Sequence, residues 1–146
     1  MVLCLETATK NCSVALVSNG ELVHFKEEHG EKFVHGERLH ELIQELLKEA
    51  EVEPSEIESV CVSKGPGSYT GLRIGVSAAK GLCYAWGVPL YSVPTHACFN
   101  LEVSDKDVVL AVLDARRDEV YAQLWKMEGV QVSEVTKVEA VVVEAQ

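Results

Sequence analysis

The run of apolar and polar segments predicts an α/β fold: a β-β-β-α-β-α unit followed by a restart of the same pattern that runs out before it is complete. Three observations carry this. Asn19-Gly20 joins two apolar runs in the manner of a tight hairpin. Leu39, Leu42, Ile43, Leu46, Leu47 and Ala50 recur at helical spacing. A glycine-rich turn, Lys64 to Thr70, stands between a β-branched run and an apolar helix.

Taken in order, Val2 to Glu6 reads as a short buried strand, Thr7 to Asn11 as a turn, Cys12 to Val17 as a second strand and Glu21 to Glu27 as a third. The first helix follows a polar loop and carries Glu37, Arg38, Glu41, Glu45, Lys48 and Glu49 on its solvated face. Glu53-Pro54 stops it, because proline disfavours helix in the residue before it. Ile57 to Ser63 is β-branched and reads as a fourth strand. The second helix, about Gly71 to Trp86, is apolar nearly all round, which predicts burial on both sides. Val88 to Val93 is then a fifth strand and Pro94 to Leu101 a short helix. Beyond the polar stretch Glu102 to Asp107, strands are expected over Val108 to Leu113, Glu119 to Lys126 and Val130 to Val138. The expected division is a complete subdomain over 1–102 and an incomplete one over 103–146.

Composition narrows the function. The 146 residues carry a formal charge of −10, with a pI near 4.9. Such a field repels polyphosphate backbones unless cations gather on one face, and here they are scattered, the densest pair being Arg116-Arg117. A direct grip on nucleic acid is therefore not expected, and protein partners are. Five widely spaced cysteines, Cys4, Cys12, Cys61, Cys83 and Cys98, form no C-x-x-C and follow no signal peptide. That usage suits a reducing cytoplasm, with the thiols as small buried hydrophobes. Pro89 and Pro94 interrupt the longest uncharged stretch, so no membrane span is expected.

The loop Ser63-Lys-Gly-Pro-Gly-Ser-Tyr-Thr-Gly-Leu-Arg-Ile-Gly75 lies between strand and helix, where backbone N–H groups can face an anion. Gly65, Gly67, Ser68, Thr70 and Arg73 are the candidate nucleotide- or anion-binding residues. The spacing Gly65-x-Gly67-x-x-x-Gly71 is one residue too long for a dinucleotide fingerprint, and Leu72 stands where a P-loop has lysine. A plain glycine turn, letting the strand enter the helix closely, explains the spacing equally well. His35 and His40 are five residues apart and on different helical faces, which argues against a zinc pair, and there is no H-E-x-x-H. Gly71, Gly75 and Ala79 recur every fourth residue and make a smooth groove, for packing within the chain or for docking a partner's helices. With Leu39, Leu42 and Leu46 they form the candidate partner or dimer interface.

The run KGPGSYTGLRIG resembles the signature of the TsaB (YeaZ) family. Glu6-Thr-Ala-Thr with Cys12-Ser-Val-Ala-Leu16 is similar to the family's opening strand pair, and Asp114-Ala-Arg116 with Glu119-Val-Tyr121 to the start of its second subdomain. The resemblance covers essentially the whole chain. It implies the fold of the actin, sugar-kinase and heat-shock ATPase superfamily, two ribonuclease H-like β-β-β-α-β-α subdomains facing a cleft. It implies a non-catalytic, cytoplasmic accessory subunit that activates the TsaD-type threonylcarbamoyltransferase in tRNA threonylcarbamoyladenosine modification. A TsaE-type ATPase is the further partner, and homodimers form when the subunit is alone. No cofactor is required; ATP or ADP with Mg²⁺ would be held at the partner junction. Glu6 and Asp114 would face one another across the cleft as carboxylates. The family's first strand often ends in Asp, where this chain has Glu6, and its chains are longer. The competing reading, drawn from the strand-loop-helix at Ser63 to Gly75, is a free-standing ATP-dependent phosphotransferase or ATPase.

Overall fold

Asn19 and Gly20 both adopt positive φ, 53° and 84°, as a two-residue hairpin turn requires, and they join β2 (Asn11–Ser18) to β3 (Glu21–His29). In this computed structural model, which describes residues 1–29, 35–99, 108–126 and 136–139, the chain divides into two units, Met1–Val93 and Pro94–Gln146. The subdomain boundary expected at 102/103 lies outside the described residues.

In the first unit β1 (Val2–Glu6) pairs antiparallel with β2 on one side. On the other it pairs parallel with β4 (Ser59–Ser63), which pairs parallel with β5 (Leu90–Val93). The five-stranded order is therefore β3-β2-β1-β4-β5. Helices α1 (His35–Glu49) and α2 (Tyr69–Trp86) supply the two crossovers of the unit. Their apolar residues and alternate strand residues make the core: Leu3 and Leu5 of β1, Val14 and Leu16 of β2, Val60 and Val62 of β4, and Leu39, Leu42 and Leu46 of α1. The register explains the pattern. Leu3 lies opposite Leu16 and Val60, and Leu5 opposite Val14 and Val62, so one side chain from each strand points the same way.

Three local expectations are revised. The fourth strand starts at Ser59, not Ile57, because Pro54–Glu56 forms a 3₁₀ turn closed by the Ile57 N–H on the Pro54 carbonyl. The second helix begins earlier, at Tyr69, with Ser68 as its N-cap. Nor is α2 buried on both sides: Gly71, Gly75, Ala78 and Ala79 face inward, while Tyr69, Arg73, Ser77, Lys80 and Tyr84 form an exposed stripe. Its apolar sequence reflects small residues on the buried face and tyrosines on the open one.

The polar face of α1 is also more engaged than a solvated face. Lys26 of β3 pairs with Glu45 (2.7 Å) and Glu49 (2.6 Å), His24 lies 3.2 Å from Glu49, and Arg38 bonds Glu28 of β3 (2.6 Å) as well as Glu41. This band ties the helix to the edge strand. The two Lys26 hydrogen bonds hold the Glu45 and Glu49 carboxyls below their ordinary range.

The second unit contains a 3₁₀ helix, Thr95–Phe99, and the antiparallel meander β6 (Val108–Arg116), β7 (Glu119–Lys126) and β8 (Thr136–Glu139). It repeats the β1-β2-β3 order. The sixth strand runs past the expected end at Leu113, with a register shift between Asp114 and Arg116, before a turn in which Arg116, Arg117 and Asp118 all have positive φ. Of the last expected strand, 130–135 lie outside the described residues.

Two outcomes follow. Leu46→Ala removes a fully buried side chain and lowers unfolding free energy by about 2–5 kcal/mol in urea titration; a loss under 1 kcal/mol would contradict this packing. Because the folded carboxyl pKa values are lowered, the Lys26 pairs stabilise above the unfolded carboxylate range and lose that contribution as pH falls through it. The stability gap between the parent and Lys26→Met should therefore shrink at acid pH and in high salt; a constant gap argues against the ion pairs.

Candidate functional site

The glycine-rich loop predicted as an anion cradle runs from the end of β4 into α2, beside the carboxyl end of β1, the side on which parallel α/β sheets hold ligands. Its first task is to lock these ends together. Glu6, the last residue of β1, accepts through Oε1 from the buried Ser63 hydroxyl (2.9 Å) and from the Ala8 N–H (2.6 Å). The Ser68 N–H donates to the Ala8 carbonyl at 2.6 Å. Thr7, fully buried, donates its hydroxyl to the Gly71 carbonyl in the first turn of α2 (2.9 Å).

Glycine is required where these pieces touch. A Cβ on Gly67 would lie 2.5 Å from the Ala8 carbonyl oxygen, and one on Gly75 would overlap the Thr7 hydroxyl and sit 3.3 Å from its Cβ. The plain-turn explanation of the spacing is thus realised. Several donors of the supposed cradle are also occupied: the Ser68 N–H by Ala8, the Gly71 N–H by the Ser68 hydroxyl at 3.2 Å, and the Leu72 N–H by the Ser68 carbonyl. Thr70 and Arg73 are exposed, and the Arg73 guanidinium lies 5.5 Å above the Tyr69 ring. With Ile74 and Ser77 they line an open depression of about 340 Å³.

Of the two carboxylates expected at a cleft, Glu6 is committed to the Ser63 and Ala8 bonds. Asp114 belongs to the second unit, where it is exposed and its Oδ1 accepts from the Arg116 N–H at 2.7 Å, steadying the β6–β7 turn. Leu39, Leu42, Leu46, Gly71, Gly75 and Ala79, expected at a partner interface, are all buried inside the first unit. Each lies at a helical spacing that served internal packing, so the surface these helices offer is made by other residues. On α2 it is Tyr69 and Tyr84, 73% and 93% exposed, with Arg73, Ser77 and Lys80 between them. The tyrosines' offset of fifteen residues, close to four helical turns, was the available signal. The role of Thr7 had no such signal, since its partner is 64 residues away. Among the described residues no group of three or more His, Cys, Asp or Glu could hold a metal ion, and no helix is long and apolar enough to cross a membrane.

A five-stranded mixed sheet with both helices on one face, followed by a second unit that restarts the same meander, defines an α/β protein built on the expected β-β-β-α-β-α pattern. Residues 32–144 match the family model described as "TsaD: tRNA N6-adenosine threonylcarbamoyltransferase", and the chain belongs to that family. It is 33% identical, over 82% of its length, to the tRNA threonylcarbamoyladenosine biosynthesis protein TsaB of Haemophilus influenzae, of which it covers 51%. Among solved structures, YeaZ from Pseudomonas aeruginosa superposes with a TM-score of 0.82 at 29% identity, covering 99% of this chain and 71% of that one. The activator of a 2-hydroxyisocaproyl-CoA dehydratase from Clostridium difficile, at TM-score 0.53 and 12% identity, shares the fold alone. The chain spans about half the length of the curated relatives it matches. The resemblance to the TsaB (YeaZ) family read from KGPGSYTGLRIG is upheld.

The Thr7–Gly75 contact is open to a double-mutant cycle. Gly75→Ala alone should destabilise by about 1–3 kcal/mol through overpacking. In a Thr7→Ala background the same change should cost clearly less, since the overlapping hydroxyl is gone. Equal costs in both backgrounds would show that the contact does not set the position of α2.

Proposed function

We propose that this chain is a non-catalytic accessory subunit of tRNA threonylcarbamoyladenosine biosynthesis, working in the cytoplasm, which binds and activates a TsaD-type threonylcarbamoyltransferase. One observation carries the reading: the exposed stripe of α2, where Tyr69 and Tyr84 flank Arg73, Ser77 and Lys80 on an otherwise well-packed helix. Tyrosine and arginine are the residue types that concentrate binding energy at protein interfaces, because they bury large area at little entropic cost. The family membership supports the pathway, and so do the TsaB relatives.

The chemistry of the loop favours the same role. Glu6, Ser63 and Ser68 spend their polar groups on holding β1, β4 and α2 together, which suits a rigid docking element. In this scheme the transferase supplies the chemistry and the contact with tRNA, consistent with the scattered cations and the charge of −10 here. The subunit needs no cofactor of its own, and ATP or ADP with Mg²⁺ belongs at the partner junction, near Thr70 and Arg73. A TsaE-type ATPase joins the pair, and the same α2 surface supports a homodimer when the chain is alone.

The test mixes the chain with a TsaD-type protein, reading association by size-exclusion chromatography with light scattering and transfer to tRNA in the complete reaction. A complex and raised transfer are expected, both lost in Tyr84→Asp and Arg73→Glu variants that keep the parent's circular dichroism. Unchanged association in both variants would move the interface elsewhere. ATP turnover by the chain alone, abolished by Asp114→Ala, would replace this reading with a phosphotransferase.

A further inference from the structure

The sheet of the first unit has a second face, turned away from α1 and α2. The register brings one residue from every strand into a single row across it: Phe25 opposite Ala15, Ala15 opposite Cys4, Cys4 opposite Cys61, and Cys61 opposite Tyr91. Directly paired residues project to the same side, so this row places two thiols side by side at the centre with an aromatic ring towards either edge. Phe25 and Tyr91 are 53% and 59% exposed, and both cysteines are half-buried. The two residues are directly paired across the parallel β1–β4 ladder.

What a thiol pair can do depends on its spacing. Neighbouring strands run about 4.8 Å apart, and Cys4 and Cys61 face each other across that gap without a disulfide between them. A single ion placed between the sulfurs bridges them with the strands where they are. Thiolate ligands select soft cations, Cu(I) foremost among those available to a two-sulfur site, and the protein's negative charge favours a cation of any kind.

We infer that Cys4 and Cys61 form a two-coordinate site for a soft monovalent cation of the Cu(I) class, set in the sheet face between Phe25 and Tyr91. On binding, each sulfur releases its proton to solvent and forms one bond to the ion. No electron is transferred and no co-reactant is needed. The site is independent of the α2 surface and of the role assigned to it.

The probe is Cu(I) itself, kept reduced under anaerobic conditions and titrated against a colorimetric Cu(I) chelator. The parent chain should withdraw one equivalent from the chelator; Cys4→Ser and Cys61→Ser should each lose that uptake, and Cys98→Ser should keep it. A second readout uses the unaltered chain, so that a variant that fails to fold does not decide the matter: Cu(I) added before an alkylating reagent should protect Cys4 and Cys61 in peptide mass spectra. No uptake by the parent, uptake retained in both single variants, or protection falling on other cysteines would each overturn the assignment.

Discussion

The contact between Thr7 and Gly75 is the constraint on which the first unit depends. A hydroxyl at the end of β1 reaches the Gly71 carbonyl of α2, and the next turn of the helix can approach only because Gly75 has no side chain. That approach sets the distance between helix and sheet. Ala78 and Ala79 are buried in the next turns, and the loop between β4 and α2 is held to Ala8 by the Ser68 N–H. Core packing here is organised from a polar contact outward. The hydrogen bond is buried and satisfied, so it adds specificity without leaving an unpaired group behind.

Electrostatics has a separate station. The ion pairs between β3 and α1 lie on the rim of the core, where exposed charges contribute little singly. As a connected band of Lys26, Arg38 and four glutamates they fix how α1 lies over the edge strand. Inside the core the trend is opposite. The Cys12 thiol, buried beside Val14 and Leu16, is pushed up to about 11 by desolvation and stays protonated through the physiological range.

Much of the architecture was legible because it is local. Asn19-Gly20 specifies its own turn, the leucines of α1 specify their own face, and alternating apolar residues specify the strands. The α2 stripe was misread because the sequence of an apolar helix does not say which face meets the sheet; Gly75 opposite Thr7 decides it, and that pairing is tertiary. The same reason explains the buried fate of Leu39, Leu42, Leu46, Gly71 and Ala79. Small and aliphatic residues at helical spacing suit a partner's helix and a chain's own sheet equally well. Family likeness was legible in one uninterrupted run, 64–75, in which Lys64, Gly67, Ser68, Gly71 and Gly75 are held by close contacts. The juxtaposition of Cys4 and Cys61 was invisible, since only the parallel register of strands 57 residues apart creates it.

The small inward residues of α2 also have a mechanical consequence. A helix seated on large side chains can slide, since long rotamers give way. The first turns of this one rest on Gly71 and Gly75 close to the sheet, with Thr7 as a peg between them. This seat favours movement of the first turns of α2 and the end of β1 as one piece. The close seat at Gly71 and Gly75 thus couples the start of the helix to the strand ends where Glu6 and Ser63 are joined.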